Sequence, residues 1–324
     1  SPLDSIDRLR DKTALSSYLG RDLRADVDPL NIAIFESAHV LGLAGEMSIH
    51  GEKNNVAFLL QGGLGLPERE SYLGTDSQLV SLRARYEQYI SRMLGLAGFD
   101  HPDTRAKAVM ALETALAQSQ VSLEASASDH RADTVWTRAD FAHRAPGMDW
   151  PAFFSAAGLA KEPAIVPWQP GAIAGVAALV TSQSLDAWKD YLRFHLIDRY
   201  ADVLPQSFAA AYFALHGTVV AGQAEQAPRA QRAFTATQSA IGEALGRVYA
   251  EHYLSATEKP RVRATCSNVA APLRARGSPL PPAHPGAAAA RRSPGAGTRE
   301  DAPPLNRMAS TLPTPPASRA AERM

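Results

Sequence analysis

Residues 58–73 read FLLQGGLGLPERESYL, in which an apolar run ends at three glycines within four positions and a proline and alternating charges follow. A phosphate loop needs a lysine and then serine or threonine after its last glycine, and a dinucleotide fingerprint needs Gly-x-Gly-x-x-Gly. Here Leu66, Pro67 and Glu68 follow Gly65, and nearby carboxylates would repel a phosphate. Both phosphate sites are therefore excluded, and the pattern predicts a glycine turn.

The overall composition restricts the kind of protein this is. A chain of 324 residues, 45% of them hydrophobic and 20% charged, is typical of a globular protein with one large or two ordinary domains. Because 33 basic and 33 acidic residues balance, no overall field attracts nucleic acid, and we expect no nucleic-acid partner. No apolar stretch reaches the roughly 18 to 20 residues that span a bilayer, so we expect no membrane-spanning segment.

The N-terminus and the single cysteine restrict the location of the protein only a little. No basic and apolar leader is visible at the N-terminus, and the chain begins at Ser1 without a methionine, which is compatible with a leader or longer segment that has been removed. The single cysteine, Cys266, excludes an internal disulfide and leaves the redox compartment open.

Helical periodicity dominates up to about Val262. Apolar residues recur at spacings of three and four in four long segments, each of which predicts an amphipathic helix. The first ends near Gly98, the second has Pro102 in its first turn, and the third is capped by Ser184 and ended by Pro205. The segments are 79–99, 101–124, 184–205 and 233–254.

Strand patterns are scarce. The segment PAIVPW, residues 163–168, is short and bounded by prolines, so we expect it to be only an extended link. No internal repeat indicates a regular solenoid. The expected fold class is therefore all-α, a mostly α-helical lobe with a disordered C-terminal tail.

The tail is set apart by its composition. From about Ser278 onward it has no aromatic residue, few aliphatic residues larger than alanine, and closely spaced prolines. Such a segment cannot bury enough apolar area to offset its ordering entropy. We expect a helical domain at 1–265 and a low-complexity tail at 266–324. The tail is either disordered, a Pro-rich linker or docking segment, or the product of a GC-rich gene read out of frame.

Motifs for metal-dependent or nucleophilic catalysis are missing from the sequence. None of the nine histidines is followed by glutamate, so the zincin motif His-Glu-x-x-His is absent. No Gly-x-Ser-x-Gly elbow is present, and Cys266 lies at the edge of the tail rather than in an electropositive site. We therefore assign no catalytic, cofactor-binding or metal-binding residue.

Some titratable residues still need an interpretation. His195 and His252 lie on helical stripes, which favours core or half-exposed positions over metal ligation. Glu46 and His50 share a helical face at i and i+4, a spacing so common that it makes only a weak candidate ligand pair. The charges at 68–70 predict local ion pairs in a solvated turn.

The sequence does resemble a known family. LLQGGLGLPERESYL, residues 59–73, is similar to a segment of the neprilysin and endothelin-converting-enzyme family of zinc metallopeptidases, whose bacterial members carry Gly-Leu-Pro, acid, Arg, acid and then Tyr-Leu. Ala230 stands where the family usually has tryptophan, and Ser71 where a second aromatic residue is frequent. Further segments that match in the family's order are LRADVDPLN at 23–31, YEQYISRMLGLAG at 86–98, MDWPAFFSAAGL at 148–159, LDAWKDYLRFHLI at 185–197, APRAQRAF at 227–234 and IGEALGRVYAEHYL at 241–254.

The resemblance implies that the two halves of the complete enzyme have different roles. In such enzymes the N-terminal half forms most of a helical lobe over an internal chamber, and the zinc motif, the third ligand and the substrate-binding Asn-Ala segment lie in the C-terminal half. This chain resembles the first half, and the resemblance fades near residues 258–276. The glycine stretch then becomes a lobe-building turn whose glycines allow close backbone packing.

These implications lead to a functional expectation. We expect an N-terminal, non-catalytic portion of a zinc metalloendopeptidase that is inactive alone, with zinc and small peptide substrates belonging to the complete enzyme. Family resemblance places that enzyme in the periplasm or outside the cell. We also expect an exposed apolar stripe through Phe234, Ile241, Leu245 and Val248, because a complete enzyme would cover it. The alternative is a non-catalytic peptide-binding or interaction scaffold derived from the family.

Overall fold

The computed structural model describes residues 1–23, 37–47, 55–126, 134–253, 255 and 258–276. Its contacts divide the chain into two units, Ser1–Arg232 and Ala233–Met324.

The first unit begins with two helices, a strand pair and the glycine turn. The side chain of Ser1 caps the first helix, and the side chain of Asp11 caps the second by accepting from the backbone N–H of Ala14. The elements are α1 (Pro2–Asp7), α2 (Lys12–Asp22), β1 (Leu41–Met47), β2 (Asn55–Gln61) and, after the turn, the short α3 (Glu70–Leu73).

Helices make up most of the remainder of the first unit. In chain order the elements are α4 (Ser77–Leu96), α5 (Pro102–Ser119), α6 (Leu123–Ser126), β3 (Trp136–Thr137), α7 (Arg138–Arg144), α8 (Trp150–Ala156), β4 (Ala164–Pro167), α9 (Pro170–Ser182), α10 (Leu185–Arg199), a 3-10 turn (Ala201–Val203), α11 (Gln206–Tyr212) and a π-helical segment (Phe213–Val220).

The long helices agree with the sequence pattern. α4 is followed by Gly98, whose φ of 82° is left-handed, and Pro102 opens α5. Ser184 caps α10 by accepting from the backbone N–H of Ala187, as predicted. The helix ends at Arg199, before Pro205, because a short 3-10 turn intervenes.

A small sheet corrects the prediction for residues 163–168. The strand order is β1-β2-β4-β3, with β1 antiparallel to β2, β4 parallel to β2 and β3 antiparallel to β4. The segment forms β4 because neighbouring strands pair with it on both sides: Phe58 lies opposite Val166, and Trp136 lies opposite Ile165. The fold is mostly helical, as predicted, and this sheet is added to it.

Aromatic side chains fill much of the core of the first unit. Trp150 on α8 is buried, and its ring centroid lies 4.8 Å from that of Phe141 and 5.5 Å from that of Phe154. Trp188 and Phe194 on α10 are fully buried as well. Aromatic residues bury large areas, so this cluster contributes strongly to the stability of the lobe.

The second unit contains two described helices. α12 (Arg229–Tyr253) begins at the boundary between the units and bends at Ile241, whose φ of −138° and ψ of 36° are not helical; α13 is Glu258–Arg276. The predicted tail from residue 266 overlaps α13 up to Arg276, and residues 277–324 lie outside the described part. Among the described helices, none is both long and apolar enough to cross a bilayer.

The glycine turn packs closely against the helices. Gly63 has a φ of 85°, a conformation that favours glycine. A Cβ on Gly65 would lie 1.7 Å from the hydroxyl oxygen of Tyr86 on α4. The contact confirms the prediction that these glycines allow close approach.

Replacing Gly65 by alanine tests this contact. The added methyl group overlaps Tyr86, so we expect Gly65→Ala to lower the free energy of unfolding by about 1–3 kcal/mol in urea denaturation. Gly45→Ala is the control, because a Cβ on Gly45 meets nothing within 4 Å; its change should stay within about 0.5 kcal/mol. Equal stability of the two variants would contradict the proposed close packing.

Candidate functional site

A buried carboxylate lies at the centre of the first unit. Glu113 on α5 is 0% exposed. Its Oε2 accepts a hydrogen bond from the hydroxyl of Tyr72, and its Oε1 lies 3.0 Å from the hydroxyl of Tyr86 and 2.8 Å from Nε2 of His195. Burying a charge is costly unless donors surround it. Three separate elements, α3, α4 and α10, supply these donors.

Tyr72 connects the carboxylate to the glycine turn. Its hydroxyl oxygen accepts from the backbone N–H groups of Gly65 at 3.0 Å and Leu66 at 2.9 Å, while its proton is donated to Glu113. The hydroxyl of Tyr191 on α10 donates to the carbonyl of Gly63 at 2.7 Å. Side chains of α3 and α10 therefore both hydrogen-bond to the backbone of the turn, and the Glu113 network fixes the position of the turn.

The tyrosine hydroxyls of this network stay protonated. Burial raises the pKa of Tyr72 and Tyr86 well above the ordinary value, and the charge of Glu113 raises it further. Burial, followed by the same charge, raises the pKa of Tyr191 as well. Because neutral hydroxyls can donate, all three retain their hydrogen bonds over the physiological range.

Buried amides anchor the end of β2 in a second network. The Gln61 side chain exchanges two hydrogen bonds of 3.0 Å with the backbone of Val121, and the Gln61 backbone N–H donates to Oε1 of Gln169 at 2.8 Å. Gln120 donates to the carbonyl of Gly62 at 2.7 Å. The sheet is thereby attached to the same turn.

A small cavity lies beside the Glu113 network. His39 on its wall has Nδ1 2.8 Å from Oδ2 of Asp22 and 2.9 Å from Nη2 of Arg199. Nδ1 donates to Asp22 when it carries a proton and accepts from Arg199 when it does not. The lining residues are Tyr18, Asp22, Ala38, His39, Val40, Tyr191, Leu192, His195, Leu196 and Arg199.

The Glu113 network has a structural role. Glu113 is fully buried and both its oxygens are engaged, so it has no free position from which to activate a water molecule. Within the described ranges, no group of three or more His, Cys, Asp or Glu residues is arranged to hold a metal ion. The region holds elements together, and its residues do not fit a zinc ion.

The histidines and charged residues singled out in the sequence have mixed outcomes. His195 is largely buried against Glu113, which confirms the prediction of a core histidine. His252 is exposed, since no residue of α12 is buried. Arg69 and Glu70 form the expected local ion pair.

The remaining candidates are Glu46, His50 and Cys266. Glu46 lies in strand β1, so the prediction that it occupies a helix was wrong. His50 lies outside the described residues. Cys266 is exposed on α13.

Glu113 escaped the sequence analysis, although a signal was present. It follows Leu112 directly and stands four residues after Val109, both of which are buried. In the sequence, a carboxylate at the edge of an apolar stripe predicts a surface residue. Its burial could not be inferred from the pattern, because its three hydrogen-bond donors lie in segments far away in the sequence.

The buried tyrosines predict the response to alkaline pH. Their folded-state pKa lies above the unfolded value of about 10, so the stability they contribute is present below pH about 10 and is lost as pH rises above it. Tyr72, Tyr86 and Tyr191 should ionise only when helical circular dichroism is lost. Phenolate absorbance measures the ionisation, with Tyr72→Phe as the variant that assigns part of the signal. Ionisation of these three tyrosines while the helical signal stays native would refute this.

Comparison with known proteins gives the family. The family model for peptidase family M13, built on its N-terminal region, matches residues 5–276. An endothelin-converting enzyme homolog of Locusta migratoria is 24% identical over 221 residues, which cover 64% of this chain and 30% of that protein. Endothelin-converting enzyme-like 1 of Mus musculus is 30% identical over 89 residues, 28% of this chain and 12% of that protein.

Solved structures agree with this assignment at the level of the fold. The open state of the zinc metalloprotease Zmp1 of Mycobacterium tuberculosis superposes with a TM-score of 0.70 at 24% identity, over 82% of this chain and 40% of that chain. PepO of Lactobacillus rhamnosis gives a TM-score of 0.59 at 17% identity, over 83% of this chain and 43% of that chain. The chain spans less than half the length of these relatives. It belongs to peptidase family M13 and corresponds to the N-terminal portion of that family.

Proposed function

We propose that this chain is the non-catalytic, N-terminal helical portion of a neprilysin-like zinc metalloendopeptidase that hydrolyses small peptides, and that the chain alone is inactive. The observation that carries the proposal is the family match over residues 5–276, combined with coverage of only 40% of the Zmp1 chain. A lobe of this kind would form one wall of the space that substrates enter.

Zinc belongs to the complete enzyme in this proposal. The described residues provide no group of three metal-binding side chains, and the sequence contains no His-Glu-x-x-His. The ligands would therefore come from the C-terminal portion of the family. The contribution of this chain is mechanical: the buried Glu113 network holds the wall rigid, so that the substrate space keeps its shape.

Domain organisation and location are part of the same proposal. Residues 1–265 would form the helical domain, and residues 266–324 a low-complexity segment whose first part, up to Arg276, belongs to α13. The family relationship favours the periplasm or the extracellular space for the complete enzyme, where small peptide substrates would be encountered.

One observation favours a second candidate, a peptide-binding scaffold. An open groove is lined by residues of α4 and α5, and its lining combines alanines with charged and amide side chains. The lining residues are Arg83, Ala84, Glu87, Met110, Ala111, Thr114, Ala115 and Gln118. Such a groove would hold an extended peptide without cleaving it.

A peptidase assay separates the two candidates. Purified chain should cleave no short peptide above the buffer control, should hold no stoichiometric zinc by elemental analysis, and should gain no activity when zinc is added. Complete Zmp1 under identical conditions is the positive control. Metal-dependent cleavage that co-purifies with the chain would overturn the proposal. Peptide binding without cleavage that Ala111→Arg abolishes would establish the scaffold instead.

A further inference from the structure

One imidazole nitrogen on the wall of the small cavity faces a hydrogen-bond acceptor and a donor at the same time. His39 precedes β1 and is 6% exposed. Its Nδ1 lies 2.8 Å from Oδ2 of Asp22, the last residue of α2, and 2.9 Å from Nη2 of Arg199, the last residue of α10. A guanidinium only donates and an ionised carboxylate only accepts. Nδ1 therefore satisfies one of these two neighbours in each of its protonation states.

The neutral imidazole with its proton on Nε2 suits Arg199. In this tautomer Nδ1 carries a lone pair, which accepts from the guanidinium 2.9 Å away. The bond then connects the C-terminus of α10 to the segment that leads into β1.

The doubly protonated imidazole suits Asp22 instead. Nδ1 then carries a proton and donates to the carboxylate, while Arg199 faces a second cation and has lost its acceptor. Like charges at this distance repel each other. Asp22 offers an alternative partner, because its Oδ1 lies 3.9 Å from Nη1 of Arg199. A small movement of the guanidinium would bring it to that oxygen.

Other titratable groups line the same cavity. Tyr18 on α2 and Tyr191 on α10 stay neutral between pH 5 and 8, because burial raises the pKa of both hydroxyls. The guanidinium of Arg21 lies over the ring of Tyr18, 5.5 Å from its centroid. The Nε2 atom of His195 lies 2.8 Å from Oε1 of Glu113. Since an imidazole titrates between about pH 5 and 8, a test must separate His195 from the imidazole beside Asp22.

We propose that His39 is a proton-operated switch for Arg199, which is bound to His39 while the imidazole is neutral and released to Asp22 when the imidazole is protonated. All three side chains line the cavity together with His195, which contacts Glu113. A proton taken up by His39 thus changes the cavity wall beside the central network. The inference does not depend on the proposed function.

The position of Arg199 can be followed directly by NMR. The 324-residue chain is labelled with ¹⁵N in its arginine side chains, and the Nε–H signal of Arg199 is identified by its loss in Arg199→Lys. The signal should follow one titration between about pH 8 and 5, while helical circular dichroism stays native. In His39→Gln, which keeps a neutral hydrogen-bonding side chain, this titration should be lost. His143→Gln on α7 is the matched control, because His143 is exposed, and it should titrate like the unaltered chain.

Two results would overturn the proposal. An Arg199 signal that stays constant from about pH 8 to 5 in the unaltered chain excludes the switch, and this result requires no variant to fold. An unchanged titration in His39→Gln would assign the effect to another group such as His195. Asp22→Asn adds an independent check: without the carboxylate, protonated His39 loses its acceptor, so the titration should move to lower pH. An unmoved titration would contradict the role of Asp22.

Discussion

One buried carboxylate organises the first unit of this chain. Glu113 is fully buried, so its charge is tolerated only while Tyr72, Tyr86 and His195 stay within hydrogen-bonding distance. Those residues come from α3, α4 and α10, and Glu113 itself from α5. A single electrostatic requirement therefore fixes the relative positions of four helices.

The glycine turn follows from the same requirement. Tyr72 donates to Glu113 while its hydroxyl oxygen accepts from the backbone N–H groups of Gly65 and Leu66, and Tyr86 occupies the space where a side chain at position 65 would be. The glycines that resemble a phosphate loop in sequence thus serve packing.

Local sequence patterns predicted the helices, whereas strand β4 and the Glu113 network depend on contacts between residues far apart in the sequence. α4, α5 and α10 follow from apolar periodicity and from caps such as Ser184. β4 was missed because four residues give too short a pattern, and its stability comes from strands distant in the sequence. The Glu113 network was missed for the same reason, since Tyr72 and His195 are 41 and 82 residues away from it. These pairings cannot be inferred from a single sequence.

The central claim is that Tyr72 and Glu113 act as one unit. The most direct test is a double-mutant cycle with Tyr72→Phe, Glu113→Gln and the combined variant, with the free energy of unfolding measured in urea. The account predicts a coupling energy of about 1–3 kcal/mol, because Tyr72→Phe removes one donor to the carboxylate and Glu113→Gln replaces one of its two acceptor oxygens by a donor amide. Effects that add to within about 0.3–0.5 kcal/mol would contradict it.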